Sequence, residues 1–92
     1  MANWLVTGAS SGIGYGIAMA ALAAGNRVAV TSRSLAKLQK LTEQYPQQCF
    51  PVELELSNDA SIERAFAKLN DFGPIDVLVN NAGHGYRAAV EE

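Results

Sequence analysis

The sequence predicts an α/β fold, in which a doubly wound parallel sheet carries helices on both faces. Three observations predict it. Short apolar runs alternate with helix-periodic segments along the 92 residues, a glycine-rich turn follows the first run, and no repeat or polar linker interrupts the pattern. Right-handed crossovers between successive strands then give a parallel sheet. The length suits one domain, residues 1–92.

The first strand and helix are predicted on either side of the glycine-rich turn. Residues 4–7 form a short apolar run that ends at Gly8, which is typical of a buried strand. A helix should follow and end at Gly25, a natural residue for a left-handed cap. Its apolar residues recur at helical spacing: Ile13, Ile17, Ala18, Ala21 and Leu22.

The second strand is predicted at residues 28–31, and a second helix after it. Ser34 is expected to cap that helix at its N-terminus, and Pro46 to end it. The spacing predicts that Leu35, Leu38 and Leu41 point inward, whereas Lys37 and Lys40 point outward.

The second half continues the alternation with a strand, a helix and a strand. Residues 50–56 are predicted as the third strand and residues 76–80 as the fourth. Asn58 or Asp59 should cap the third helix, and Gly73-Pro74 should close it. Its expected apolar face consists of Ile62, Ala65, Phe66 and Leu69.

Composition excludes several classes of function. The net charge is −2 and no basic stripe appears, which argues against a nucleic-acid partner. The one cysteine, Cys49, lies in an apolar stretch and is interpreted as a buried small hydrophobe; with one histidine, a metal site has little support. The longest apolar run is about ten residues, short of the ~20 that a membrane span needs. We therefore expect a soluble cytoplasmic protein without a membrane partner.

The segment from Thr7 to Gly14 is predicted to bind a pyrophosphate. Gly8 permits a sharp turn out of the strand, Gly12 lets the backbone approach phosphate, and Gly14 allows close packing of the helix. First-turn amides such as that of Ile13, and the hydroxyls of Ser10 and Ser11, would donate to the anion. The alternative is a tight turn without a ligand. A kinase-type phosphate loop is excluded, because Gly-Lys-Ser/Thr is missing.

The spacing Thr-Gly-x-x-x-Gly-x-Gly, together with Asn80-Asn81-Ala82-Gly83 after the fourth strand, resembles the short-chain dehydrogenase/reductase family. The resemblance implies a Rossmann-type sheet with strand order 3-2-1-4, of which residues 1–92 are a part that ends after the fourth strand of the usual seven. It implies hydride transfer between a nicotinamide cofactor and a carbonyl or alcohol in the full-length enzyme.

The end of the second strand predicts NADP(H) in preference to NAD(H). The acidic residue that holds the adenosine ribose in many dinucleotide sites would stand at Ser32, so no carboxylate repels a 2′-phosphate there. Arg33 follows and offers a permanently charged fork suited to phosphate. The alternative for Arg33 is a solvated surface charge.

The resemblance implies further contacts with the cofactor. Glu55 stands where the family usually has Asp or Asn against the adenine amino group, and Leu56 would supply an apolar wall. The backbone of Asn81, Ala82 and Gly83 would approach the adenosine ribose and the middle of the cofactor. Asn80 is interpreted as a structural amide that ties the fourth strand to its neighbours.

No catalytic residue is predicted in this chain, although the resemblance implies an oxidoreductase. The family uses a serine and a Tyr-x-x-x-Lys pair, but the residues four places after the three tyrosines are Met19, Cys49 and Val90. We therefore expect residues 1–92 alone to be inactive. His84 and Tyr86 would lie in a loop that borders the substrate cleft of a complete enzyme.

Two expectations concern partners. If the sheet ends at the fourth strand, residues 76–80 form an uncovered apolar edge, which favours self-association or aggregation. A non-catalytic nucleotide-binding module, or a partner subunit, is the alternative to a piece of an enzyme. A methyltransferase-like fold is disfavoured by Arg33 and by the Asn-Asn-Ala-Gly element.

Overall fold

The computed structural model describes residues 2–10, 12–81 and 89–91. The strands are β1 (Asn3–Thr7), β2 (Arg27–Ser32), β3 (Cys49–Glu53), β4 (Val77–Asn80) and β5 (Ala89–Glu91). The α-helices are α1 (Gly12–Ala23), α2 (Gln39–Gln44) and α3 (Asp59–Phe72), and a 3-10 helix over Leu35–Leu38 precedes α2. None of these helices is long and apolar enough to span a bilayer.

The sheet has the order β3-β2-β1-β4-β5, and its first four strands are parallel, which confirms the predicted order 3-2-1-4. Val6 lies between Val30 and Val79, and all three side chains are buried. The run from Val28 to Ser32 is buried at every position. Continuous burial, without alternation, is expected of a parallel strand that is covered on both faces.

The prediction that β4 is an uncovered edge is wrong. β5 pairs with β4 in the antiparallel direction, with Val79 opposite Val90. An antiparallel partner needs only a short connection, whereas a further parallel strand would need a crossover of a dozen or more residues. The edge of the described sheet on this side is therefore β5 and not β4, and self-association stays a prediction.

The second helical segment differs from its prediction at its start. Ser34 is extended and makes no side-chain capping hydrogen bond, and the segment begins as a 3-10 helix. Leu38 and Leu41 are buried as predicted, but Leu35 is 47% exposed. The winding alone does not separate the two leucines, because residues three apart lie above one another in a 3-10 helix. Leu35 is exposed at the first position of the segment, while Leu38 at its last position is fully buried.

The third strand and the third helix also differ from their predictions. β3 ends at Glu53, so Glu55 and Leu56 follow the strand and do not end it. Asn58 is the cap of α3, since its side chain accepts a hydrogen bond from the Ser61 amide. Phe66 is 64% exposed, whereas Phe72 is buried. The inward face of α3 follows Ser61, Ala65 and Phe72, and Phe66 lies about 100° around the helix from Ala65.

Candidate functional site

The carboxyl ends of β1, β2 and β3 and the residue after β4 border one cleft of about 440 Å³, which we call the main cleft. It extends to the point between β1 and β4 where the strand order reverses, which is the usual ligand position in open α/β sheets. Seven predicted site residues line it: Gly8, Ser10, Ser32, Arg33, Glu55, Leu56 and Asn81. Five others that line it were not predicted: Thr31, Ser34, Lys37, Leu54 and Ser57.

The glycine-rich turn places its backbone toward open space. Gly8 and Gly12 both have a φ of 64°, in the left-handed region that other residues rarely adopt. A Cβ on Gly12 would meet no atom within 4 Å. Ile13 is 73% exposed and lines neither cleft described here. The start of α1 is therefore accessible to a ligand. The positive φ is a second reason for a glycine at position 12, besides the predicted approach of a phosphate.

Gly14 is confined by protein atoms on the inner side of the turn. A Cβ at this position would lie 2.6 Å from the Gly8 carbonyl oxygen and would overlap the Asn81 side-chain amide. Close packing was the predicted role of Gly14, and the structure identifies the two groups against which it packs. Any side chain here would push the turn away from the loop after β4.

Hydroxyl groups at the strand ends hold the turn in place. The Gly8 amide donates to Thr31 Oγ1 at 3.2 Å, and the Ala9 amide donates to the Thr31 carbonyl at 2.9 Å. Asn81 donates from its side chain to the Gly8 carbonyl at 3.2 Å and from its backbone to Thr7 Oγ1 at 2.8 Å. The role of Thr31 was not predicted, and the sequence feature that indicates it is a hydroxyl residue near the end of an otherwise apolar strand.

Asn80 has the structural contact that was expected of it. The Thr7 hydroxyl lies 3.0 Å from Asn80 Oδ1 and donates to it. The two asparagines after the fourth strand thus differ: Asn80 ties β4 to β1, while Asn81 lines the main cleft and also supports the turn.

The segment after β2 supplies positive charge to the main cleft. Ser32 is buried and its Oγ accepts a hydrogen bond from the Ser34 amide at 3.3 Å. Arg33 and Lys37 are exposed and line the cleft. The sequence pattern predicted that Lys37 points outward, and its exposure confirms this; the structure adds that the exposed residue borders the main cleft.

The segment after β3 supplies one acid and two leucines. The Glu55 amide donates to Ser61 Oγ at 2.9 Å, and Glu55 Oε1 lies 3.5 Å from the Ser57 amide, which is at the limit of a hydrogen bond. Leu56 is 55% exposed, so it presents apolar surface at the mouth of the cleft together with Leu54.

A second cleft adjoins the first and is called the side cleft here. It has a volume of about 520 Å³ and shares Ser10 and Lys37 with the main cleft. Its other lining residues are Gly12, Tyr15, Ala36 and Lys40. Gly12 thus belongs to the side cleft, at the junction of the turn and α1.

Several predicted residues lie outside the described part of the chain, namely Ser11, Ala82, Gly83, His84 and Tyr86. Among the described residues, no group of three His, Cys, Asp or Glu side chains could hold a metal ion. Cys49 is buried as predicted, and burial raises the pKa of its thiol, while a hydrogen bond with Thr42 acts in the opposite direction.

Curated relatives of the chain are oxidoreductases. A Botryotinia fuckeliana protein named oxidoreductase BOA17 is 38% identical over 91 residues, which are 97% of this chain and 33% of that protein. An NADP-dependent 3-hydroxy acid dehydrogenase from Shigella flexneri is 36% identical over 95 residues, covering 96% of this chain and 38% of that protein. The chain thus spans about a third of the length of these relatives.

Solved structures with the same fold carry related descriptions. A short-chain dehydrogenase from Streptomyces avermitilis superposes with a TM-score of 0.83 at 44% identity, over 90% of this chain and 32% of that one. A metagenomic short-chain oxidoreductase in complex with NADP gives 0.78 at 36% identity, over 92% and 40%. A Brucella melitensis 3-ketoacyl-(acyl-carrier-protein) reductase complexed with NADH gives 0.78 at 33%, over 94% and 36%.

A sequence profile identifies the family of this chain. The profile of the family described as short chain dehydrogenase matches residues 2–92, which is nearly the entire chain. The match includes the glycine-rich turn and the Asn-Asn-Ala-Gly element from which the resemblance was first inferred. This chain belongs to the short chain dehydrogenase family.

Proposed function

We propose that this chain binds NADP(H) in preference to NAD(H) and forms the cofactor-binding part of an oxidoreductase that acts on a carbonyl or alcohol group. One observation carries the proposal. The main cleft is lined by both the glycine-rich turn and the exposed Arg33. Ser32 occupies the position at which an acidic, ribose-binding residue would repel a 2′-phosphate.

The turn fits a pyrophosphate. The amides at the start of α1 carry the positive end of a 12-residue helix, and the space beside Gly12 is open. Ser10 lines both clefts at this point and can donate from its hydroxyl. In the proposal, Gly8, Ser10, Ser11, Gly12 and Ile13 contact the phosphates, and Gly14 permits the close packing that holds the turn.

The opposite end of the main cleft fits a phosphorylated adenosine. Arg33 would bind the 2′-phosphate through its planar fork, next to Ser32. Leu56 would cover one face of the adenine, and Glu55 would accept a hydrogen bond from its amino group. Asn81, Ala82 and Gly83 would follow the ribose toward the middle of the cofactor. The NADP named for one relative and one solved neighbour supports this choice, while another neighbour holds NADH.

The bound cofactor would supply or accept the hydride, and the residues of this chain would bind and orient it. The glycine-rich turn would fix the phosphates, and Arg33 after β2 would select the phosphorylated ribose. No residue of this chain is proposed as an acid or base, because none of its tyrosines is followed by lysine four residues later. Turnover is therefore assigned to the full-length enzyme.

Titration of the protein with NADPH and NADH tests the proposal directly. We expect tighter binding of NADPH, and we expect Arg33→Gln to weaken NADPH by about tenfold, or about 1.4 kcal/mol, while it leaves NADH unchanged. Fluorescence of the bound nicotinamide reports both affinities. Equal affinity of the wild-type protein for the two cofactors would reject the preference, and binding of neither would reject the proposal as a whole.

A further inference from the structure

We propose that Lys37 is a second cation for the 2′-phosphate, and thus a further residue that determines the preference for NADP(H). This inference rests on the proposed function, because it concerns the same main cleft. Its starting point is that the exposed Lys37 lines this cleft together with Arg33.

The backbone after β2 explains why Lys37 reaches the cleft. The segment Leu35–Leu38 is a 3-10 helix, in which residues three apart lie above one another. Lys37 is three residues after Ser34, and its amide donates to the Ser34 carbonyl at 3.2 Å. Ser34 also lines the main cleft. Lys37 therefore shares the side of the segment that faces the cleft, while the next residue, Leu38, is fully buried in the core.

The charges of the cleft supply the second argument. Among the residues that the structure describes, the charged ones that line it are Arg33, Lys37 and Glu55, and their formal charges sum to +1. Without Lys37, the cleft would be neutral, because Glu55 would cancel Arg33. A phosphate monoester carries between −1.5 and −2 charges at neutral pH. Arg33 alone would thus meet a dianion in the presence of an opposing carboxylate, and Lys37 makes the cleft attractive.

Lys40 provides a natural comparison. It is exposed, has the same charge and lies three residues after Lys37, but it lines only the side cleft. If any exposed lysine near Arg33 were enough, both lysines would contribute equally to binding of the 2′-phosphate. If the main cleft holds the 2′-phosphate, only Lys37 should matter.

Two adenosine nucleotides distinguish binding of the 2′-phosphate from binding of the rest of the adenosine half of the cofactor. Calorimetric titration with 2′,5′-ADP, which carries this phosphate, and 5′-AMP, which lacks it, should be made with the wild type, Lys37→Gln, Lys37→Arg and Lys40→Gln. We expect Lys37→Gln to weaken 2′,5′-ADP about fivefold and 5′-AMP by less than about twofold. Lys37→Arg should retain most of the affinity, and Lys40→Gln should change neither ligand by more than about twofold.

Increasing the salt concentration should reduce the preference for 2′,5′-ADP more in the wild type than in Lys37→Gln. The reason is that the wild type has one more exposed charge pair with the phosphate for salt to screen. Unchanged binding of 2′,5′-ADP by Lys37→Gln, when Arg33→Gln weakens it, would overturn this inference and leave the proposed function intact. Equal losses for both nucleotides, or equal losses in Lys37→Gln and Lys40→Gln, would also overturn it. Failure of the wild type to bind either nucleotide would overturn the proposed function itself.

Discussion

The two ends of β2 carry an arginine each, and the two arginines have opposite surroundings. Arg27 begins the strand and donates to Asn3 Oδ1 at 3.2 Å and to the Phe72 carbonyl at 3.0 Å. Its guanidinium also lies 4.4 Å from the centre of the Phe72 ring. Arg33 follows the strand and is exposed at the main cleft. The first arginine therefore holds the fold together, whereas the second is exposed at the cleft that we propose as the cofactor site.

The same difference extends across the whole sheet. At the amino ends of the strands, polar groups bond to one another: the Asn3 amide donates to Asp76 Oδ2 at 2.9 Å, and Gln48 donates to the Leu22 and Asn26 carbonyls. At the carboxyl ends, the hydroxyls and amides support a turn that faces open space. Residue type alone does not distinguish an arginine bonded within the fold from one exposed at the cleft; the place of the residue relative to strand direction does.

The largest effect is expected at the carboxyl edge, from Gly14→Ala. The new methyl group would lie 2.6 Å from the Gly8 carbonyl and overlap the Asn81 amide, so backbone must move. We expect a loss of about 3 kcal/mol in the free energy of unfolding, with loss of NADPH binding. Urea unfolding measures the first effect and cofactor fluorescence the second.

Gly16→Ala is the matched control for this variant. A Cβ at Gly16 in the same helix would meet nothing within 4 Å, so the substitution should stabilise α1 by up to about 1 kcal/mol through helix propensity. Similar effects of the two substitutions would show that the contact among Gly14, Gly8 and Asn81 does not constrain the turn.

The next effect separates the two arginines. Arg27→Gln removes the contact with the Phe72 ring and weakens the bonds to Asn3 and to the end of α3, so we expect it to cost about 2 kcal/mol of unfolding free energy. Arg33→Gln should change stability by less than about 0.5 kcal/mol. The ratio of NADPH to NADH affinity should respond in the reverse order. A stability loss in Arg33→Gln as large as that in Arg27→Gln would end the distinction between the two strand ends.

The smallest effect concerns Cys49, at the amino end of β3. Burial raises the pKa of its thiol above the value of 9.0 expected when the chain is unfolded. The unfolded thiol then ionises first, so stability is constant well below pH 9 and falls as the pH rises from 9 toward the folded pKa. We therefore expect a small loss of unfolding free energy between pH 9 and pH 10. Unfolding of the wild type and of Cys49→Ala between pH 7 and 10 isolates it; parallel pH profiles would refute the assignment.

Local sequence signals predicted those features that depend on neighbours in the chain. Apolar runs placed β1, β2 and β4, Gly25 ended α1 with a φ of 93°, and Asn58 capped α3. The order of the first four strands came from the resemblance and was also confirmed. The errors at Leu35 and Phe66 have a shared cause, since periodicity assumes that one surface covers the whole apolar face of an element.

The alternation of strands and helices, the glycine-rich turn and the family of the chain all follow from the amino-acid sequence. The roles of Thr31 in holding the turn, of Lys37 in lining the main cleft and of β5 in pairing with β4 became evident from the folded chain. These three features depend on groups that are far apart in the chain and meet when it folds. Hydrophobic periodicity reports burial along a single element, but it carries no information on which distant backbone group that element will meet.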